Sequence, residues 1–345
     1  MAVILKLHGG DGRRFTKLNQ AHIVLIPKKP DAEEIGDYHP ISLPHNIPKL
    51  FAKVLENRLR RRMKEIVGNN QPAFIKGRHI HDNFLLVRHV ARRIHARKVP
   101  WVFLKLDISR AFDYLSWPFL FEVMNAKGLG AGWNNWIAIL LRTTTTKVIV
   151  NGVPSKSFGH ACGLPQGDPI SPPLFVIAMD VLSALVNKAL ELGVPSNFSG
   201  ITDMQRISVY ADDVALFIKP STQDLNLVKA TLDAWLWVNY EKSSTIMIRG
   251  EPEDQMRVSA LLHCDLAEFP CKYLGPPLAT KNLTRVGWQP LLDQVRNCVP
   301  AWQRGLIQRP GRLILGQSII SAIPIHHLMV MDARVWVLEE INKWM

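Results

Sequence analysis

Residues 209–217 read Val-Tyr-Ala-Asp-Asp-Val-Ala-Leu-Phe, with apolar sequence on both sides of a carboxylate pair. The apolar runs 207–210 and 214–218, joined by a tip at 211–213, predict a β-hairpin carrying Asp212 and Asp213 at its turn. An isolated Asp-Asp pair is most often an ordinary turn-former. Between buried strands, however, two adjacent carboxylates cost free energy unless something neutralises them. That raises the question of what other acid the chain supplies.

Working outward, the next acid in an apolar setting is Asp107, 105 residues before Asp212. Residues 102–108 alternate, with Val102, Leu104, Leu106 and Ile108 on one side and Phe103, Lys105 and Asp107 on the other, so a strand is expected. Ser116, Pro118 and Gly128 mark the start and stop of a helix. Runs 144–150 and 153–158 flank Asn151-Gly152, the strongest short-range hairpin signal. A long helix starts at Ser171-Pro172 and is expected to close at Gly193. Interleaved strands and helices of this kind imply an α+β fold.

Upstream, residues 22–26 form a short strand ended by Pro27 and followed by Lys28 and Lys29. Helices are expected over 48–66, with Leu50, Val54, Leu59 and Met63 as the apolar stripe, and over 83–97. Downstream, residues 219–345 read mostly as helix, clearest over 288–299 and 312–323, with His326-His327 in a loop. The expected division is 1–100, 101–218 and 219–345.

The 345 residues are 47% hydrophobic and 21% charged, which excludes a disordered or collagen-like chain. Within the net charge of +13, residues 1–100 hold 20 Lys and Arg against 8 Asp and Glu, a surplus of 12. A basic region of this kind suits a phosphate backbone, and its binding weakens as salt rises. Four scattered cysteines, Cys162, Cys264, Cys271 and Cys298, read as thiols of a reducing compartment. Residues 1–17 lack a cleavable apolar leader, and the apolar window 174–186 is too short for a membrane span and carries Asp180. A soluble, intracellular protein without a membrane partner is expected.

Three motifs then carry a resemblance. Tyr210-Ala211-Asp212-Asp213 resembles the YADD box of reverse transcriptases. Residues 104–113 (Leu-Lys-Leu-Asp-Ile-Ser-Arg-Ala-Phe-Asp) resemble their first carboxylate motif, and residues 163–172 (Gly-Leu-Pro-Gln-Gly-Asp-Pro-Ile-Ser-Pro) the motif between the two. Further matches at 37–43, 70–78, 240–244, 272–275 and 310–313 extend the likeness to non-LTR (LINE-type) retrotransposon polymerases, especially those of plants.

The resemblance implies a right hand: basic fingers, a palm with an antiparallel sheet, and a helical thumb. It implies RNA-directed DNA polymerase activity, with an RNA template, a DNA primer and dNTPs as partners and nuclear DNA as the place of work. Two Mg²⁺ ions, with Mn²⁺ as a substitute, would be held by Asp107, Asp212 and Asp213 and by the carbonyl of Ile108. Mg²⁺ suits one or two carboxylates plus substrate phosphates, and a metal pair can activate the 3′-hydroxyl and hold the leaving pyrophosphate.

By the same resemblance Phe112 is a steric gate against a 2′-hydroxyl, and Gln166 and Gly167 line the nucleotide pocket. Lys28, Lys29 and His39 face the nucleotide phosphates, while Lys76 and Arg78 face the template and primer. Asp113 and Asp168 read as structural, and Trp117, Trp288 and Trp302 as core. The sequence also departs from the family. His39 stands where arginine is usual and lacks its bidentate fork. Pro165 and Pro173 are uncommon, and residues 235–239 look short. Together these imply a truncated, partly decayed copy with weak or no turnover. The alternative is a catalytically inactive nucleic-acid-binding remnant.

Overall fold

The computed structural model describes residues 15–108, 111–191, 206–235, 238–240, 242–298 and 308–343. The expected helix stop at Gly193 and the expected core residue Trp302 lie outside them.

The first strands of the described residues form a ribbon, β1 (Gln20–Pro27) against β2 (Tyr38–Pro44), which sets Ile26 opposite His39. Helix α1 (Asn46–Ile66) follows and buries Phe51, Ala52, Leu55, Leu59 and Met63. The expected stripe was half right: Leu50 and Val54 are 61% and 42% exposed. Positions 51, 55, 59 and 63 recur every four residues, and the bulk of Phe51 turns that row inward instead. Glu56 is buried in the same helix, held by Lys53 at 2.8 Å and by Arg60. Helix α2 (Ile80–Arg97) begins three residues earlier than expected, because Asp82 accepts from the His79 amide and closes a capping box.

β3 (Trp101–Asp107) is the central strand of a five-stranded sheet. Helices α3 (Ala111–Tyr114), α4 (Trp117–Ala126) and α5 (Ala131–Arg142) follow it. β4 (Thr145–Val150) then folds back on β5 (Val153–Pro154) and β6 (Phe158–Gly159) through Asn151-Gly152, which has φ +50° and +80°. That is the hairpin the Asn-Gly pair predicted. Its β4 also pairs in parallel with β1, so residues 145–159 join the sheet of the first region rather than the central one.

The long helix α6 (Ser171–Glu191) packs its Leu174, Phe175, Val176 and Ile177 into one core with Val102, Leu104 and Leu106 of β3. β7 (Ile207–Tyr210) and β8 (Asp213–Ile218) form the carboxylate hairpin. After α7 (Thr222–Trp235), β9 (Ser244–Ile248) pairs antiparallel with β3. Helix α8 (Pro252–Leu262) leads to β10 (Asp265–Ala267), and the strand order becomes β10-β9-β3-β8-β7. The sheet therefore does not stop at Ile218, and two of its strands come from the region expected to be mostly helical.

Both faces of β3 are buried over most of its length. Trp101 and Phe103 face a second core built from Phe84, Val87 and Ile94 of α2, Ala215 and Phe217 of β8, Tyr273 and Trp288. Only Lys105 and Asp107 break the burial, at the strand end that carries the acid. Covering the second face is worth roughly 1.5–3 kcal/mol for each large side chain removed from water.

A short ribbon, β11 (Cys271–Lys272) with β12 (Pro277–Leu278), precedes helix α9 (Arg285–Asn297), whose Thr284 hydroxyl accepts from the Gly287 amide at 3.4 Å. Helix α10 (Arg309–Leu315) runs through a π-turn at Gly316–Ile320 to α11 (Ala322–Val330), and α12 (Val335–Asn342) follows. His326 and His327 lie inside α11, not in a loop, because Pro324 falls in the helix's first turn, where it removes no needed donor. The His326 Nε2 lies 2.8 Å from the Leu274 carbonyl. By length and composition, the stretch Leu313–Val330 is the one helix among the described residues apolar enough to cross a membrane, with 22% of it buried. The most apolar window of the sequence, 174–186, instead falls within α6.

Candidate active site

Strand register brings the distant acids together. Asp107 ends β3, and its antiparallel partner on β8 is Asp213. Across the hairpin Asp213 pairs with Tyr210, leaving Ala211 and Asp212 as the turn. Ala211 is buried with φ +54°, a left-handed conformation costly for a residue with a Cβ. Asp212 is exposed, while Asp107 and Asp213 are half-buried. Burial, then the charges of Asp212 and Asp107, raise the Asp213 carboxyl above the usual range, against the pull of Lys105. Like charges placed directly across strands repel. The end of the sheet therefore attracts cations.

The backbone of Asp107 is held on the side of β3 away from β8, by the segment leading into β9. Its amide donates to the Ser243 hydroxyl at 3.1 Å, and its carbonyl accepts from the Asn239 amide at 2.9 Å. Ser243, itself buried, donates to the Asn239 carbonyl at 2.7 Å. In the sequence, residues 240–244 stand out only as a motif, and their spacing carries no sign of this use. Ile108 forms an isolated bridge with Val238, its side chain in the core.

A second group gathers around Gly163–Asp168. Phe112 stacks on Phe175 of α6, with centroids 4.2 Å apart and planes 19° from parallel. Its carbonyl accepts from the Leu164 amide at 2.7 Å. The Gln166 carbonyl accepts from Ser42 of β2 at 3.0 Å, and its side-chain amide donates to Asp113 at 3.3 Å. Gly167 has φ +99°, and a Cβ there would sit 2.8 Å from the Ser42 carbonyl. The loop thus ties the strand bearing His39 to the helix bearing Phe112. His39 itself is exposed.

The remaining basic residues are placed differently. Lys28 donates to the Gly36 carbonyl at 2.7 Å, and Lys29 pairs with Asp37 at 3.0 Å, which holds the Asp37 carboxyl below its usual range. Both lysines close their own hairpin loop. Lys76 is exposed. Arg78, expected at the template, turns its guanidinium to the main chain and donates to the carbonyls of Gly68 at 2.6 Å, Gln71 at 2.9 Å and Val67 at 3.1 Å. A fork committed to main-chain oxygens has few donors left for phosphate.

The family model described as reverse transcriptase (RNA-dependent DNA polymerase) matches residues 26–278. The chain belongs to that family. Proteins similar to it include a retrovirus-related Pol polyprotein from the type-2 retrotransposable element R2DM of Drosophila melanogaster. The two are 30% identical over 340 residues, 94% of this chain and 31% of that protein. A 149 kDa protein of transposon TX1 from Xenopus laevis is 26% identical over 318 residues, 88% of this chain and 24% of that protein. The chain thus spans a third or less of the length of these curated relatives. Among solved structures, a telomerase of Candida tropicalis in complex with a fragment of telomeric RNA superposes with a TM-score of 0.51. It covers 99% of this chain and 57% of its own, at 12% identity. The α+β right hand is therefore the fold of this reverse transcriptase chain.

Reverse transcriptases use divalent metal ions, and the donor set here fits such an ion. Among the described residues no three His, Cys, Asp or Glu side chains form a finished metal cage. A magnesium-type site does not require one: one or two carboxylates suffice when substrate phosphates supply the rest. Paired Asp107 and Asp213, with Asp212 beside them, provide that edge.

Asp168, in the loop of this second group, is buried, and burial pushes its carboxyl up to about 6 despite the Ile170 amide and Lys49. The fold then binds its proton more tightly than the unfolded chain does, whose value is about 3.9. Its stabilising contribution is complete below that value and lost as pH rises through about 6. Asp168→Asn is expected to raise the thermal midpoint clearly at pH 7.5 and little at pH 4.5. Equal shifts at both pH values would contradict the burial effect.

Proposed function

We propose that the chain is an RNA-directed DNA polymerase adding dNTPs to a primer 3′-end. Asp107, Asp212 and Asp213 are the metal carboxylates, and the Ile108 carbonyl is a further metal contact. The observation that supports this most is the cross-strand pairing of Asp107 with Asp213. Two Mg²⁺ ions, or Mn²⁺ in their place, would supply Lewis-acid activation of the 3′-hydroxyl and stabilise the leaving pyrophosphate.

The protein's own groups account for the rest. Burial and the neighbouring acids raise the Asp213 carboxyl, so bound cations would favour its charged form and couple substrate binding to an organised site. Phe112, fixed by its stack on Phe175, presents a rigid ring where a 2′-hydroxyl would meet it. Gln166 and Gly167 set the pocket floor, with Lys28, Lys29 and His39 on the phosphate side. Lys76 and the exposed face of α1, which includes Arg61, Arg62 and Lys64, would follow the RNA backbone. The DNA primer and nuclear DNA as the place of work belong to the same proposal.

Primer extension on an RNA template with dNTPs and Mg²⁺ tests it. The expected result is extension that stops on chelation and rises several-fold in His39→Arg, since arginine restores a bidentate phosphate donor. A second reading, a binding remnant without catalysis, is favoured by His39 standing exposed on β2 in place of that arginine. It predicts salt-sensitive RNA binding with no extension by either form, and that outcome would replace the first reading.

A further inference from the structure

We propose that Gln71 is a positioning residue that sets the Asp212-Asp213 turn, and that Arg78 acts through it. Gln71 is 0% exposed, and its side-chain oxygen accepts from the Ala211 amide at 3.2 Å and from the Ala73 amide at 3.1 Å. Two main-chain donors converging on one atom identify it as Oε1. The Ala211 amide is the group a left-handed alanine must have anchored, because its φ of +54° is not self-maintaining. The Nε2 of Gln71 is buried without a partner. A glutamine kept at that cost is there for its acceptor.

Gln71 does not act alone on the hairpin. β7 is the outermost strand of its sheet, with one edge free of strand partners. The Val209 amide donates to the Asn70 carbonyl at 3.2 Å, and Asn83 of α2 donates to the Val209 carbonyl at 3.0 Å. Residues 70, 71 and 83 therefore occupy the edge of β7 up to the turn. The loop carrying Asn70 and Gln71 is itself clamped. Arg78 binds the carbonyls of Val67, Gly68 and Gln71, and the Gly68 amide donates to Asp180 of α6 at 2.9 Å. The path runs from the guanidinium to the Gln71 main chain, through its side chain to Ala211, and so to the two acids.

The catalytic consequence rests on the polymerase reading, whereas the bracing is measurable without turnover. Amide hydrogen exchange at Ala211 is compared in the wild type, Gln71→Met and Arg78→Lys, beside single-turnover primer extension. Gln71→Met is expected to speed exchange at Ala211 roughly tenfold or more while the β8 amides of Val214 and Leu216 keep their protection. It should lower kcat with little change in the KM for dNTP. Adding Ala211→Gly should restore part of the rate, because glycine takes a positive φ without a Cβ penalty. Arg78→Lys should move the Ala211 amide the same way by a smaller factor.

Unchanged exchange at Ala211 in Gln71→Met overturns the proposal. Protection lost across the whole central sheet does so too, since it marks general support of the fold. Weakened RNA binding in Arg78→Lys with Ala211 still protected removes Arg78 from the path. If the wild type does not extend a primer, the polymerase reading fails, and the exchange result still decides the bracing.

Discussion

Asp107→Asn is expected to abolish primer extension while the fold survives. Asparagine keeps the shape of the side chain, and the bonds that fix residue 107 use its amide and carbonyl with Ser243 and Asn239. What disappears is one negative charge at the only point where β3 meets the hairpin acids. Loss of a metal carboxylate removes about 4 kcal/mol of transition-state stabilisation, roughly a thousandfold in rate. Single-turnover extension measures this, with a thermal melt as the control for folding. Asp213→Asn adds a signature of opposite sign. Burial beside Asp212 and Asp107 raises the Asp213 carboxyl, so the fold holds its proton more tightly than the unfolded chain does. Stability contributed by that proton is present below the unfolded pKa and lost as pH rises through the raised value. Neutral asparagine should therefore raise the thermal midpoint at pH 7.5 even as activity falls. Extension by Asp107→Asn within tenfold of the wild type would falsify the catalytic assignment.

Gly163→Ala should destabilise the fold strongly. Its φ is +81°, and a Cβ there would lie 2.5 Å from the Asp113 carbonyl oxygen, a main-chain atom that cannot swing aside. Both polar groups of Gly163 are also used, its amide on Leu115 at 2.8 Å and its carbonyl by the Trp117 indole at 2.7 Å. A left-handed alanine alone costs about 1–3 kcal/mol, and the backbone clash adds to it. Against a total stability of roughly 5–15 kcal/mol, a loss of about 3 kcal/mol or more is large. Gly152→Ala is the matched control, with φ +80° but open space around it, so only that same conformational cost of about 1–3 kcal/mol remains. Denaturant midpoints of the two variants measure the difference. Equal losses would show that the packing of the loop against Asp113 contributes nothing.

Local patterns carried the reading of single elements well and the reading of their faces less well. The Asn151-Gly152 turn, the Ser171 helix start and the two strands of the carboxylate hairpin stand where residue chemistry predicted. The stripe of α1 was misread by one row, since periods near 3.6 admit both 50/54 and 51/55 until a partner surface selects one. Phe103 looked like the outer face of β3 and is core, because alternation cannot report a second layer of helices packed from outside.

By itself the sequence determined the identity and order of the three acids, the strands that bear them and the basic first third. Each follows from short-range chemistry: apolar alternation, turn residues and charge. Tertiary structure alone decided that Asp107 faces Asp213, and that β9 and β10 extend the sheet past Ile218. It alone also assigned Arg78 to main-chain carbonyls and Gln71 to the Ala211 amide. Those are pairings between residues far apart in the chain, or between a side chain and a backbone group of no particular residue type. Nothing in local spacing encodes them.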